Sequence, residues 1–291
     1  MSSYYGVNEY FRRRFGCKVY KLALDGGFTC PNRDGTLGYG GCIFCLEGSG
    51  AFAERTAESI HEQIERAKLR VKAKAGKDAM YIAYFQSYTN TYAPVERLRE
   101  IYMPIADRSD IAAISIGTRP DCLPPETVEL LSELNKMKPV IVELGLQTVH
   151  EESAEYIRRR YPLECYNDGA QRLRSAGIEV VTHVILGLPG ESEEMMLETV
   201  RHACKYSNGI KLQLLHVLEG TDLAEDYRAG LFEVMTLPQY VALIKHCVDI
   251  IPDDIVIHRL TGDGDKKHLI APLWSGDKKR VLNAITKALA E

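Results

Sequence analysis

Short apolar runs recur along this chain, each followed by a glycine-rich or polar break and then an amphipathic stretch. The runs predict strands over 18–24, 80–86, 111–116, 140–146, 178–186 and 210–217, nearly continuous in apolar residues as strands buried on both faces are. Between them the period lengthens. Ile60, Ile64, Ala67 and Val71 share one face of a predicted helix over 56–74, and Val95, Leu98, Ile101 and Tyr102 follow Pro94 in the same way. Pro124 and Pro125 suit the first turn of a helix reaching Asn135. Further helical stretches run to a stop at Gly177 and through Met195, Val200 and Ala203.

Six strand–helix alternations predict an α/β fold with a parallel sheet and right-handed crossovers. Polar groups recur where the strands end: Cys30, Gln86, Arg119, Gln147, His183 and His216. Barrel-type α/β proteins carry their active sites on that rim, so the expected fold is a partial barrel. Beyond Gly220 the pattern changes to a helix over 237–250, a short strand over 255–258 and a helix from Ser275. The expected organisation is a lead-in over 1–17, the barrel over 18–232, and a small α/β appendage over 233–291 packed on the rim.

An apolar share of 45% supports a sizeable core, and no apolar run approaches the ~20 residues of a membrane helix. Tyr4, Tyr5 and Arg12 to Arg14 do not make the apolar core of a signal peptide, so the cytoplasm is the expected compartment. A net charge of -4 provides no global footprint for nucleic acid. Local basic groups at Arg12–Arg14, Arg158–Arg160, Lys266–Lys267 and Lys278–Arg280 read first as solvated faces.

The chemistry concentrates in one loop. Cys30, Cys42 and Cys45 lie in a stretch with glycines at 35, 38, 40 and 41, which let a loop wrap closely around something. Cys17, Cys122, Cys165, Cys204 and Cys247 are scattered and read as small apolar residues. Thiolates suit zinc or an iron–sulfur cluster. A structural zinc site wants four ligands, and His61 is the only nearby candidate for the fourth. Three thiolates on a four-iron cluster leave one iron open to a small molecule.

The chain here resembles the radical S-adenosylmethionine (radical SAM) enzymes, whose cluster loop follows the first barrel strand and ends in Cys-x-aromatic-Cys, as Cys42-Ile43-Phe44-Cys45 does. The usual family spacing puts three residues between the first two cysteines; here there are eleven. That spacing, with Gly27-Phe28-Thr29-Cys30-Pro31-Asn32-Arg33-Asp34-Gly35, resembles the YtqA/YhcC-like branch, related to the radical SAM domain of the Elongator catalytic subunit. The resemblance extends through 84–91, Thr118-Arg119-Pro120-Asp121, 142–148, 183–189 and 258–264.

The resemblance implies a partial (β/α)6 barrel holding a [4Fe-4S] cluster on Cys30, Cys42 and Cys45, with S-adenosylmethionine on the fourth iron. It places Phe44 beside the adenine, Gln86 and Ser87 at the methionine amine, Glu143 and Gln147 toward the ribose and sulfonium, and His183 near the ribose. Arg159 matches an arginine that pairs with the methionine carboxylate, a fork suited to Arg. Where relatives carry an acidic ribose ligand, this chain has Gly117. Tyr88, Asn90, His216, His258, Arg259 and Asp263 are candidate substrate contacts at strand ends.

The reaction so implied starts with an electron from a donor such as flavodoxin or ferredoxin and yields a 5′-deoxyadenosyl radical that abstracts hydrogen from a substrate. Three readings of function stand. In the first, the substrate is tRNA, and the carboxymethylaminomethyl side chain of wobble uridine becomes aminomethyl. In the second, the substrate is a small metabolite or a peptide. In the third, the chain is a non-catalytic module that binds zinc or a cluster.

Overall fold

The computed structural model describes residues 4–46, 58–76, 79–262 and 264–290. Strands β1 (Val19–Leu24), β2 (Met80–Phe85), β3 (Ile111–Thr118), β4 (Val140–Gln147), β5 (Glu179–Leu186) and β6 (Gly209–Leu214) lie side by side in chain order, every pair parallel. The helices α2 (Ile60–Val71), α3 (Val95–Ala106), α4 (Pro125–Met137), α5 (Glu151–Tyr156), α6 (Leu163–Ser175) and α7 (Glu193–Tyr206) form the crossovers. A capping box between Ser59 and Glu62 starts α2 at Ile60; residues 56 and 57 of the expected helix lie outside the described residues. Five of the six strands are where the apolar runs place them, in a curled half-barrel sheet; the sixth run, expected over 210–217, breaks after Leu214, and Val217 pairs in a separate two-stranded sheet.

The chain beyond 232 adds more than a cover. After β7 (Val217–Leu218) and α8 (Asp222–Arg228), α9 (Leu237–Ile250) leads into β8 (Val256–Arg259), which pairs in parallel with β6 as the seventh strand of the same sheet. Gly209 admits it, because a Cβ there would sit 2.8 Å from the His258 ring. β9 (Leu269–Ala271) pairs antiparallel with β7, and α10 (Lys278–Ala288) closes the described chain against the core.

Period-two alternation sorts the strand residues. Val142, Leu144, Val184, Leu212 and their alternates face outward to the helices in the main core. The inward positions form layers, as in closed parallel barrels. Ile82, Ala113, Ile141 and Val181 make the lowest layer, and Phe11 packs against it. Phe11 belongs to α1 (Val7–Phe15), a helix within the expected lead-in that plugs the N-terminal end of the barrel. Two residues further along each strand lie Tyr84, Ser115, Glu143, His183 and Lys211, a polar layer at mid-height. Gln86, Gly117, Gly145, Ile185 and Gln213 come next and face a cavity.

Candidate active site

The cysteine loop owes its shape to its own backbone. Arg33 and Asp34 donate N–H bonds to the Cys30 carbonyl, Leu37 to Pro31 at 2.8 Å, and Gly41 to Asn32 at 2.9 Å. Gly35, Gly40 and Gly41 adopt positive φ, which lets so short a loop fold back on itself. The Asn32 amide donates to the Arg158 carbonyl at 2.8 Å, tying the loop to the turn after α5. Arg33 Nη2 donates to the carbonyls of Cys45 at 2.5 Å and Leu46 at 3.0 Å, closing the loop's far end.

The loop lies over a cavity of about 1220 Å³ at the C-terminal ends of the strands. Small-molecule sites commonly occupy ~300–1,000 Å³, so this one has room for more than one ligand. Cys30, Cys42 and Cys45 all line it, as free thiols. Burial pushes the Cys42 thiol up to about 12 and raises Cys45, the latter opposed by Arg33. Among the described residues, no three or more His, Cys, Asp or Glu side chains are gathered closely enough to hold a single ion. Soft thiol donors that line one cavity without converging on a point fit a cluster, which gives each thiolate an iron of its own.

Most of the expected site residues meet here. Phe44, Gln86, Ser87, Tyr88, Glu143, Gln147, Arg159, His183, His216 and Arg259 line the cavity with the cysteines. Phe44 also packs against a small core of Ile157, Leu215 and Leu223, so it is both wall and plug. Gly117 leaves the β3 wall open: a Cβ there would come 3.2 Å from the Phe85 carbonyl. Arg119 lines the wall too, holding Asp121 through a fork of 2.9 and 2.6 Å above the Tyr161 ring.

Two of the expected site residues are committed to the protein itself. Arg159 is 1% exposed. Its Nε donates to Tyr161 O at 2.9 Å, its Nη1 to Thr148 O at 2.6 Å, and its Nη2 to both Glu151 oxygens at 3.0 and 3.2 Å. Glu143 is 1% exposed, and both of its oxygens are taken. Lys21 and Ser115 donate to Oε1 at 3.0 and 3.1 Å; Tyr84, His183 and Lys211 reach Oε2. Burial alone would raise its pKa, yet Lys21 and Lys211 hold it well below the usual carboxylate range.

Among the described residues that line the cavity, Asn90 and His258 are absent. Asn90 is fully buried, its amide donating to the Phe85, Ser87 and Gly117 carbonyls and so fastening the ends of β2 and β3. His258 is buried against Phe11 and Gly209 below the polar layer. Asp263 lies outside the described residues. Of the basic groups, Arg12–Arg14 sit on α1 at the opposite end of the barrel, where Arg14 pairs with Glu179. Arg158 pairs with Asp222 at the rim, and Lys267 lines the cavity.

Lys21, Lys211 and Gln213 join the expected residues here, each a charged or polar side chain at an inward position of an otherwise apolar strand.

Residues 30–203 match the Radical SAM superfamily, and residues 207–291 match the Radical_SAM C-terminal domain. The uncharacterized protein YtqA of Bacillus subtilis is 47% identical over 288 residues, covering 98% of this chain and 89% of YtqA. The tRNA uridine(34) acetyltransferase of Methanocaldococcus jannaschii is 26% identical over 155 residues, covering 52% of this chain and 28% of that protein. The structure of the Methanocaldococcus infernus Elp3 with an N-terminal deletion superposes with a TM-score of 0.64 at 19% identity, over 87% of this chain and 58% of that one. That likeness carries the fold. The chain belongs to the radical SAM superfamily, in the branch of YtqA, and is an enzyme of the [4Fe-4S] cluster and S-adenosylmethionine.

Proposed function

We propose that this radical SAM enzyme acts on tRNA, converting the carboxymethylaminomethyl side chain of wobble uridine to aminomethyl with loss of the two-carbon carboxymethyl unit. Once bound, the cluster and S-adenosylmethionine would supply radical chemistry able to remove a hydrogen atom from a substrate carbon. Cys30, Cys42 and Cys45 would hold the cluster. Gln86, Ser87, Gln147 and His183 would line the S-adenosylmethionine site, and Arg159 would meet its carboxylate by exchanging Nη2 from Glu151, whose side chain is 58% exposed. Tyr88, His216 and Arg259 would face the substrate. The protein's part is placement and exclusion of water.

The observation that carries the radical chemistry is the three thiols lining one cavity with room for a second ligand. What supports a tRNA substrate is the relative that acts, by its name, on tRNA uridine 34. An electron carrier such as flavodoxin or ferredoxin would reduce the cluster, in the cytoplasm; among the described residues no helix is long and apolar enough to cross a membrane. The position of Arg12–Arg14 away from the rim favours the second reading, a small metabolite or peptide, because phosphate contacts carry much of RNA affinity.

The deciding experiment is anaerobic cleavage of S-adenosylmethionine by the reconstituted enzyme, with and without bulk tRNA, beside mass spectrometry of tRNA from a deletion strain. The expected result is tRNA-dependent 5′-deoxyadenosine and accumulated carboxymethylaminomethyl-uridine. Unchanged wobble uridine in the deletion strain sinks the tRNA reading.

A further inference from the structure

Four side chains on four strands form one hydrogen-bonded row at the cavity floor, and their donors and acceptors admit a single arrangement. Arg259 on β8 carries only donors, and its Nη1 lies 3.3 Å from Oε1 of Gln213 on β6. The Gln213 carbonyl is therefore an acceptor, and its amide nitrogen, 3.4 Å from Nδ1 of His183 on β5, must donate. Nδ1 of His183 is then bare. Its proton sits on Nε2, 3.1 Å from Oε2 of Glu143 on β4. A doubly protonated ring would set two N–H groups against each other at Nδ1.

We infer that Arg259 is a positioning residue which, acting through Gln213, fixes His183 as a neutral imidazole with its proton on Nε2, on the wall of the cofactor cavity.

The surrounding charges agree with the hydrogen bonds. Glu143 faces the ring from β4, Lys211 and Gln213 from β6, and Arg259 from β8; Tyr84 and Lys21 bind the same carboxylate, and His258 lies in the same field. Burial, then Lys211 and Arg259, push His183 down to about 4, with Glu143 opposing. His183, Gln213 and Arg259 all line the cavity. S-adenosylmethionine carries a fixed positive charge on its sulfonium. A charged imidazole on this wall would repel it; a neutral one does not. This inference rests on the cofactor of the superfamily and not on the tRNA reading.

Nitrogen NMR of histidine-labelled, cofactor-free protein tests it. In the wild type, His183 should show the Nε2–H tautomer and titrate near 4. Arg259→Met lets the Gln213 amide turn, so the tautomers should mix, and the midpoint should rise above the wild-type value while burial and Lys211 still hold it below the ordinary value of about 6.5. Arg259→Lys, again a donor-only cation, should restore the single tautomer. Affinity of the cluster-loaded wild type for S-adenosylmethionine should be flat from about pH 8 to about pH 6, as a ring that stays neutral requires, and a fall across that range overturns the inference. A wild-type Nδ1–H signal overturns the inference without any variant, and so does an unchanged His183 in Arg259→Met.

Discussion

The ammonium of Lys211 lies 3.0 Å from the phenol oxygen of Tyr84, and both groups hydrogen-bond to the same oxygen, Oε2, of Glu143. Burial lowers Lys211 to about 7; Glu143 opposes the drop while Lys21 and Arg259 add to it. An unfolded lysine titrates near ~10.4. Between about pH 7 and about 10.4 the unfolded chain holds a proton that native Lys211 has released, so this residue's contribution to stability rises with pH. Below about pH 7 both states are protonated and the cost of burying the ammonium is felt in full.

The prediction is a difference curve. Lys211→Met removes that dependence, so wild-type stability minus variant stability should climb from about pH 7 toward about pH 10. Buried thiols and phenols titrate in the same range, but they are common to both proteins and cancel. Urea unfolding of the cofactor-free proteins at several pH values measures it. A flat difference would mean that the lysine keeps its proton throughout.

His258 offers a test of opposite sign. Both of its ring nitrogens are buried without a hydrogen-bond partner, beneath the layer that Glu143 organises. Replacing such a group with an apolar one of similar size recovers its desolvation cost, so His258→Leu should stabilise the protein by about 1–2 kcal/mol near neutral pH. Burial holds its pKa well below the ordinary value, with Lys21 adding to the drop. The unfolded chain therefore takes up a proton that the native ring refuses, and wild-type stability falls as pH drops through about 6.5. The variant should lose less on acidification. Paired thermal melts at neutral and mildly acid pH would expose the idea as wrong if His258→Leu melts lower at both.

How far the sequence reached is clear from particular residues. The cysteines stand out by their spacing in a glycine-rich loop, and Gln86, Gln147 and His183 because a parallel strand buried on both faces has few uses for a polar residue toward its C-terminal end. Glu143 was legible as a position but not as a partner. Nothing in strand 140–146 says that Lys21 and Lys211, 122 and 68 residues away, meet its two oxygens. Asn90 and His258 look like rim groups along the chain, yet a tight turn after β2 and a register shift between β6 and β8 accompany their burial. The plug α1 was hidden by its own arginines, which mask the stripe Val7, Phe11, Phe15.

Arg159 should prove a structural latch whatever else it does. Arg159→Ala leaves the Leu146, Thr148 and Tyr161 carbonyls without their donors in a buried turn. An unsatisfied buried polar group costs about 1–3 kcal/mol, so a loss of about 3 kcal/mol is expected for the set after relaxation. Arg159→Lys should recover less than half, because a compact ammonium cannot span the fork. Equilibrium unfolding of the cofactor-free protein reads this directly. A loss under 1 kcal/mol would show that water or a rearranged turn replaces the guanidinium.

Cluster assembly should release protons, and the cysteine environment says from where. At neutral pH the Cys42 and Cys45 thiols are protonated, raised chiefly by burial. Iron–sulfur ligation takes thiolates, so loading must displace both protons, and apparent affinity should improve steeply from about pH 7 to about pH 8.5. Arg33 counters the rise at Cys45. Arg33→Gln should therefore impair loading at neutral pH and recover as pH increases, a rescue that a damaged loop would not show. Alanine at Cys30, Cys42 or Cys45 should abolish the stable cluster at any pH, while Cys17→Ala, near the start of β1 at the barrel's other end, should leave it intact. Anaerobic reconstitution followed by absorbance, with proton release measured in weakly buffered solution, distinguishes these outcomes. Loading that is independent of pH would place the thiols in a different state from the one their burial dictates.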